Sequence, residues 1–288
     1  MIMLSKSILV QLFGFPATLV HGDTLVLDRW RWLKKRLPVT RNKEKLLDIG
    51  SGSGAFTIGA ALRGYDAVGL SWDKRNQDVA LERAKLCGAN RANFSLQDVR
   101  HLDQRLDLRE KFDVVICCEI IEHVLNDRKL MIDIFSCLKP DGILLLTTPY
   151  FFYRPMKDRD DMGPFSLIED GRHVRRGYTR AALSQLCAEA GFLVEEFGSC
   201  SGFFSQKITK LLRTIRPHVL IWVLTFPLRI LPLTLDRIVA ALTRWTDYSI
   251  CLVAQRPGVK VQTGSSVTCL VFVCIDTETK VPISVKKI

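Results

Sequence analysis

Three glycines at alternate positions, Gly50, Gly52 and Gly54, close the apolar run Leu46-Leu47-Asp48-Ile49 and lead into Ala55-Phe56-Thr57-Ile58-Gly59-Ala60-Ala61. This stretch reads as a buried strand, a tight turn and a helix entry. Glycine there permits positive φ and lets the backbone approach a ligand, with the helix N–H groups facing it. A dinucleotide loop, G-x-G-x-x-G, would carry its third glycine one residue later, and no G-x-x-x-x-G-K-[ST] phosphate loop occurs. The histidines at 21, 101, 123, 173 and 218 have no ligand spacing and no C-x-x-C is present, so no metal site is expected.

Such a loop needs a sheet to hold it. A helix is predicted from Asp28, as its cap, to Leu37, with Pro38 beyond its end. Strands are predicted at 45–49, Ala67–Leu70, Asn93–Leu96, Phe112–Cys118 and Gly142–Thr148, with helices at about 74–87 and 124–138 between them. Buried strands alternating with helices argue an α/β fold, a doubly wound, mostly parallel sheet covered on both faces. Ligands in such sheets lie beyond the C-terminal strand ends. Gly50–Gly54, Ser71, Asp98 and Glu119 therefore come to one rim. Beyond Thr148, the chain is irregular to 177. Thr179 then caps a helix to about 190, a sixth strand covers Phe192–Phe197, and Tyr248–Ala254 is a seventh.

Three segments frame the 41–256 domain: an apolar arm and helix over 1–40, an insertion at 199–246, and a β-rich extension at 257–288 with a predicted hairpin. The first 20 residues carry one charge, Lys6, but Gly14 and Pro16 interrupt them and no cleavage site is clear. They read as an interfacial segment or a packed arm. Nine scattered cysteines, an odd number, fit reduced core residues in a cytoplasmic setting. The formal charge of +11 points to an anionic partner or surface without choosing among lipid headgroups, a phosphorylated substrate and RNA.

The ordered motifs resemble those of the class I S-adenosylmethionine-dependent methyltransferases, in a small-molecule, ubiquinone-biosynthesis-like branch. The resemblance covers about 45–198 and 248–256. It rests on Asp48-Ile49-Gly50-Ser51-Gly52-Ser53-Gly54, on the fourth-strand run Phe112 to Val124 with Glu119-Ile120-Ile121-Glu122-His123, and on Leu138-Lys139-Pro140-Asp141-Gly142 before the fifth strand. It implies a Rossmann-like fold and S-adenosyl-L-methionine as cofactor. The loop Gly50, Ser51, Gly52 and Gly54 would wrap the amino-acid end, with Asp48 orienting the loop or capping it. Ser71 stands where the family usually has a carboxylate for the ribose diol, with Asp73 as a compensating acceptor. Trp72 would shield one cofactor face or pack the helix start. Asp98 would accept from the adenine amino group, Val99 would offer a backbone N–H, and Glu119 would lie near the methionine portion.

Methyl transfer is an in-line displacement, so alignment and desolvation do most of the work. A hydroxyl acceptor gains from a general base, and histidine suits neutral pH. His123 and His173 are the candidates. Arg172, Arg175 and Arg176 beside His173 offer forked hydrogen bonds to phosphate or carboxylate, or else form a solvated basic loop. Cys118-Glu119-Ile120-Ile121 stands where amino-group- and DNA-base-methylating branches show Asn/Asp-Pro-Pro-Tyr, and no separate RNA-binding module is visible, which argues against nucleic acid.

In the insertion, Pro217–Leu228 has no formal charge and is flanked by Lys207, Lys210, Arg213, Arg216, Arg229 and Arg237. Twelve residues with prolines cannot span a bilayer as a regular helix. A peripheral contact at the inner face of the membrane, a lid or homodimer contact, and ordinary core stay open. The leading expectation is O-methylation of a small molecule, glycan or lipid-linked acceptor. C-methylation of a quinone or prenyl-type lipid, and an inactive cofactor-binding regulatory protein, are the alternatives.

Overall fold

The computed structural model describes residues 7–20, 24–154, 163–214, 224 and 232–258. Its larger compact unit is Met1–Pro257, and all but Gly258 of the second unit, Gly258–Ile288, lies outside the described residues. The predicted C-terminal hairpin falls there.

The N-terminal helices are α1 (Ile8–Phe13), α2 (Phe15–Val20) and α3 (Thr24–Arg36). The alternating core follows: β1 (Lys45–Ile49), α4 (Ala55–Leu62), β2 (Asp66–Ser71), α5 (Lys74–Leu86), β3 (Ala92–Leu96), β4 (Phe112–Cys118), α6 (Asp127–Cys137) and β5 (Leu138–Pro149). After it come α7 (Arg180–Glu189), β6 (Leu193–Cys200), α8 (Phe203–Thr214), α9 (Pro232–Thr243) and β7 (Ser249–Gln255). The seven strands form one sheet in the order β3-β2-β1-β4-β5-β7-β6. β7 runs antiparallel to both neighbours and the other pairs are parallel. The order reverses between β1 and β4, which opens a crevice at their C-terminal ends.

Period-2 alternation divides the core between the two faces. Leu47, Ile49, Val115 and Cys117 pack with Leu130 and Ile134 of α6 and Leu183 of α7. Leu46, Val114 and Ile116 face the other way, onto Trp30 and Leu33 of α3 and Ile58 of α4. Each such buried aliphatic side chain contributes about 2 kcal/mol.

Two boundaries differ from the sequence reading. Asp28 is not a cap: α3 begins at Thr24, which leaves Asp28 in the helix interior, buried, with desolvation pushing its carboxyl up to about 6. β5 starts at Leu138, ahead of the turn residues expected to precede it, because Phe112 already pairs with Leu138 across the register shift of β4. The insertion between β6 and β7 contains α8 and α9. Thr24 Oγ1 of α3 donates to Ser205 O at 2.8 Å, tying α8 to the body, and Asp236 of α9 accepts from Phe204 N at 2.7 Å, joining α9 to α8. The Val219–Leu228 stripe lies outside the described residues except for Leu224, which is helical and exposed. No helix among the described residues is long and apolar enough to cross a membrane.

Candidate functional site

The crevice holds a cleft of about 250 Å³ where the ends of β1, β2, β3 and β4 converge. Gly50, Gly52, Ser71, Trp72, Asp98, Val99, Glu119 and His123 all line it, although they are scattered through the sequence. Gly50 and Gly52 have φ of +75° and +51°, a region that disfavours side chains. A Cβ on Gly50 would lie 2.1 Å from Ile120 Cδ1, whereas one on Gly52 would meet nothing within 4 Å and would enter open space. That open backbone is what a ligand lying against the loop requires. Gly54 plays another part: its Cα faces Ala80 and Phe94, and it lets α4 pack against α5 and β3 instead of lining the cleft. Ser51 and Asp48 line an adjoining cavity behind the loop. Asp48 accepts from Thr57 Oγ1 of α4 at 2.7 Å, so it ties strand to helix, and desolvation pushes its carboxyl up to about 6.

At the nucleoside end, Ser71 Oγ accepts from Asp73 N at 3.3 Å. Asp73 cannot supplement Ser71 as expected, because its carboxylate caps α5 by accepting from Arg75 N and Asn76 N. Trp72 is 63% exposed, and its indole edge approaches Gly171 from across the cleft. Asp98 lines the cleft with its carboxylate already engaged by a neighbour. Its carboxylate is not an open acceptor: Arg100 Nε lies 2.9 Å from each oxygen, and the same guanidinium bonds Glu169 Oε2 at 3.1 Å. This hydrogen bonding holds Asp98 below the usual carboxylate range. Glu169 also accepts from Leu125 N at 2.6 Å, which straps the 168–174 segment over the cleft.

Glu119, at the end of β4, sits at φ +55°, a conformation held by its partners. Oε1 accepts from Thr147 Oγ1 and Ser249 Oγ at 3.0 and 2.9 Å, and Oε2 faces Arg29 of α3 at 3.2 Å. Glu122 is fully buried, and desolvation together with the charge of Glu119 raises its pKa well above the carboxylate range. Thr148 Oγ1 donates to its Oε2 at 3.1 Å. His123 Nε2 lies 3.9 Å from Glu122 Oε1, and its ring meets that of His173 edge-on with centroids 4.6 Å apart. The fold thus brings both candidate histidines together at the cleft wall. Burial lowers the pKa of His123 and favours neutral imidazole. Ligand atoms of Glu122, His123 and His173 lie within 4.8 Å of one another, close enough to approach a single cation.

The arginines near His173 are committed to the fold. Arg175 bonds Asp127 and donates to Tyr178 Oη and the carbonyls of Val124 and Leu125. Arg176 donates to Tyr153 O at 2.9 Å, and Arg172 pairs with Asp170 at 2.7 Å. Their expected service to a phosphate or carboxylate is therefore not what these contacts display.

Sequence reasoning did not find Arg29, Asn76 or Arg100 as wall residues. None belongs to a spaced motif. Glu122 did carry a signal, since it lies three residues after Glu119 and directly before His123.

A family described as methyltransferase domain matches residues 26–196. The ubiquinone biosynthesis O-methyltransferases of Rickettsia bellii (strain OSU 85-389) and Rickettsia prowazekii (strain Madrid E) are 29% and 30% identical over 104 and 107 residues. Those segments cover 36% and 37% of this chain, but 41% and 40% of the relatives, so the chain spans about two-fifths of the curated relatives it matches. Two solved structures share the fold. The [4+2]-cyclase SpnF is 19% identical with a TM-score of 0.56, covering 81% of this chain and 82% of its own. A putative sarcosine dimethylglycine methyltransferase from Galdieria sulphuraria is 16% identical with the same TM-score, covering 81% and 85%.

Proposed function

The chain belongs to the methyltransferase-domain family, and from that premise we propose that it is a class I S-adenosylmethionine-dependent methyltransferase acting on a hydroxyl oxygen of a small-molecule acceptor. S-adenosylmethionine, when bound, supplies an electrophilic methyl group on sulfur. The residues present fit it: Gly52 leaves open backbone for its amino-acid end, Ser71 offers a hydroxyl at the ribose position, and Val99 and Asp98 stand at the nucleoside end.

His123 carries the oxygen-acceptor reading. It lines the cleft, burial favours its neutral form, and it would take the hydroxyl proton of an acceptor seated there. His173, edge-on at 4.6 Å, limits the ring's motion. Glu122, kept neutral by burial, adds no charge that would hold the proton elsewhere. The matched relatives are O-methyltransferases of ubiquinone biosynthesis, which also favours an oxygen acceptor.

The acceptor's setting belongs to the same proposal. We place the enzyme in the cytoplasm, working on a lipid-linked or otherwise apolar acceptor at the inner face of the membrane. Exposed Leu224, Ile238 and Leu242 in the insertion, with exposed Lys207 and Lys210 on α8, support contact with an anionic lipid surface. The formal charge of +11 is consistent with it. Flotation with anionic liposomes that weakens at high salt and in Trp222→Asp/Leu224→Asp is the expected result. Protein that stays soluble at low salt, while the double variant loses a dimer in solution, would make the insertion a subunit contact.

Incubation with methyl-labelled cofactor and lipid extract tests the activity. A labelled methyl ether is expected. Label on carbon would shift the reading to a C-methyltransferase of a quinone or prenyl-type lipid, and cofactor binding with no labelled product in any extract would favour a regulatory protein.

A further inference from the structure

A guanidinium with no ion pair among the described residues is buried behind the glycine loop, and Glu82 acts on it only through space. Arg83 of α5 is 2% exposed, and its Nη1 donates to Ser53 Oγ at 2.8 Å. That hydroxyl is neutral, Arg83 Nε has no partner, and no carboxylate among the described residues pairs with the group. Burial lowers the guanidinium's pKa, yet arginine stays protonated in proteins. A buried charge of this kind is costly unless an opposite charge meets it.

Arg83 faces space in which an anion can meet it. It lines the adjoining cavity of about 270 Å³, together with Ser53, Arg29 and Arg75. Asp48 is the only acid on that wall, and Thr57 already engages it. The cavity shares Gly50, Gly52 and Asn76 with the cleft described above, so a ligand lying over the loop can reach both.

We propose that Arg83 and Ser53 form an oxyanion subsite that takes a carboxylate or phosphate group entering the cavity behind the glycine loop. Nε is buried and has no partner, and Arg83 lines the cavity, so its planar guanidinium has donors left for a forked, charge-assisted contact with a group seated there. One source is the α-carboxylate of S-adenosylmethionine, which rests on the functional reading above. The other is free phosphate, which does not.

Calorimetry on the full chain with S-adenosylhomocysteine and with 5′-methylthioadenosine separates the sources, because the second ligand lacks the carboxylate. Arg83→Met removes the charge and retains an apolar stem, and Ser53→Ala leaves Arg83 in place. If the cofactor's carboxylate fills the subsite, Arg83→Met binds S-adenosylhomocysteine about tenfold more weakly and 5′-methylthioadenosine as wild type does, with a smaller selective loss in Ser53→Ala. If free phosphate fills it, sodium phosphate raises the melting temperature of wild type more than that of either variant, and the ratio of the two adenosyl affinities does not change. Should Arg83→Met fail to fold, Ser53→Ala decides by the same readouts. Wild type that binds neither adenosyl compound would defeat the cofactor reading, and the phosphate arm would then decide the subsite alone. Equal ligand ratios and equal phosphate responses in wild type and variants would overturn the subsite.

Discussion

Arg100 covers the carboxylate of Asp98, its Nε 2.9 Å from both oxygens. The acid expected to receive the adenine amino group is therefore bound by a neighbour two residues away, and a nucleoside has to compete for it. Both groups are about one-third exposed, so water weakens the pair and allows exchange. Arg100→Leu should bind S-adenosylhomocysteine about threefold more tightly. Calorimetry checks this, and unchanged or weaker binding would show that Arg100 and the nucleoside do not compete.

His123 and His173 should separate by role. His123→Ala is expected to lower kcat about a hundredfold or more, the usual scale for losing a general base, while cofactor affinity stays near wild type. His173→Ala should cost less, because this ring supports His123 through an edge contact. Steady-state kinetics on the methylated acceptor, paired with cofactor titrations, measures both. A larger kcat loss in His173→Ala would transfer the base to that residue.

Activity should survive thorough chelation. Methyl transfer does not itself require a Lewis acid, and Glu122 would have to release a proton that burial holds before it met a cation. Turnover measured before and after chelation tests this. Loss of turnover, restored by one equivalent of a divalent ion, would make Glu122, His123 and His173 a metal centre.

Gly52→Leu should abolish cofactor binding while the fold persists. The new side chain would occupy open space at φ +51° and obstruct the ligand without striking the core. Circular dichroism and calorimetry separate these effects. Binding within a factor of about three of wild type would show that the ligand does not approach Gly52.

Asp48 makes stability depend on pH in an unusual direction. Its carboxyl, ordinarily near 3.8, is pushed up to about 6 by burial in the folded protein, so the native state binds the proton more tightly than the unfolded chain does. Its contribution is full below about pH 4 and is lost as pH rises through about 6. Asp48→Asn keeps an acceptor for Thr57 without the charge. At pH 7.5 it should be more stable than wild type by up to about 3 kcal/mol, a gain that disappears near pH 4. Denaturant titrations at both pH values decide, and a variant less stable at pH 7.5 would mean that the buried charge is favourable.

The sheet was legible in the residues themselves. Its signals are local: the continuous apolar run Val114–Cys118, glycines at 50, 52 and 54, and Thr179 accepting from Ala182 N at a helix start. Strand-end logic brings Gly50–Gly54, Ser71, Asp98 and Glu119 to one rim from sequence alone. The partners of those residues depend on tertiary structure. Arg29 reaches Glu119 from a helix that precedes the whole sheet, and Arg83 meets Ser53 from the helix beyond β2. Glu169 returns from the strap to Arg100, and His173 arrives beside His123 from beyond β5. Such pairs have no sequence period, because a long side chain can meet any group that the backbone brings within reach. Local rules also misled at Asp28 and Asp73: a short acid can cap a helix or lie within one, and the packing around it decides which. The alternation of strands and helices and the rim followed from hydrophobic periodicity and strand-end logic, whereas the strand order came from the tertiary structure. The charge states at the rim depended on which groups the fold buried and which counter-charges it placed beside them.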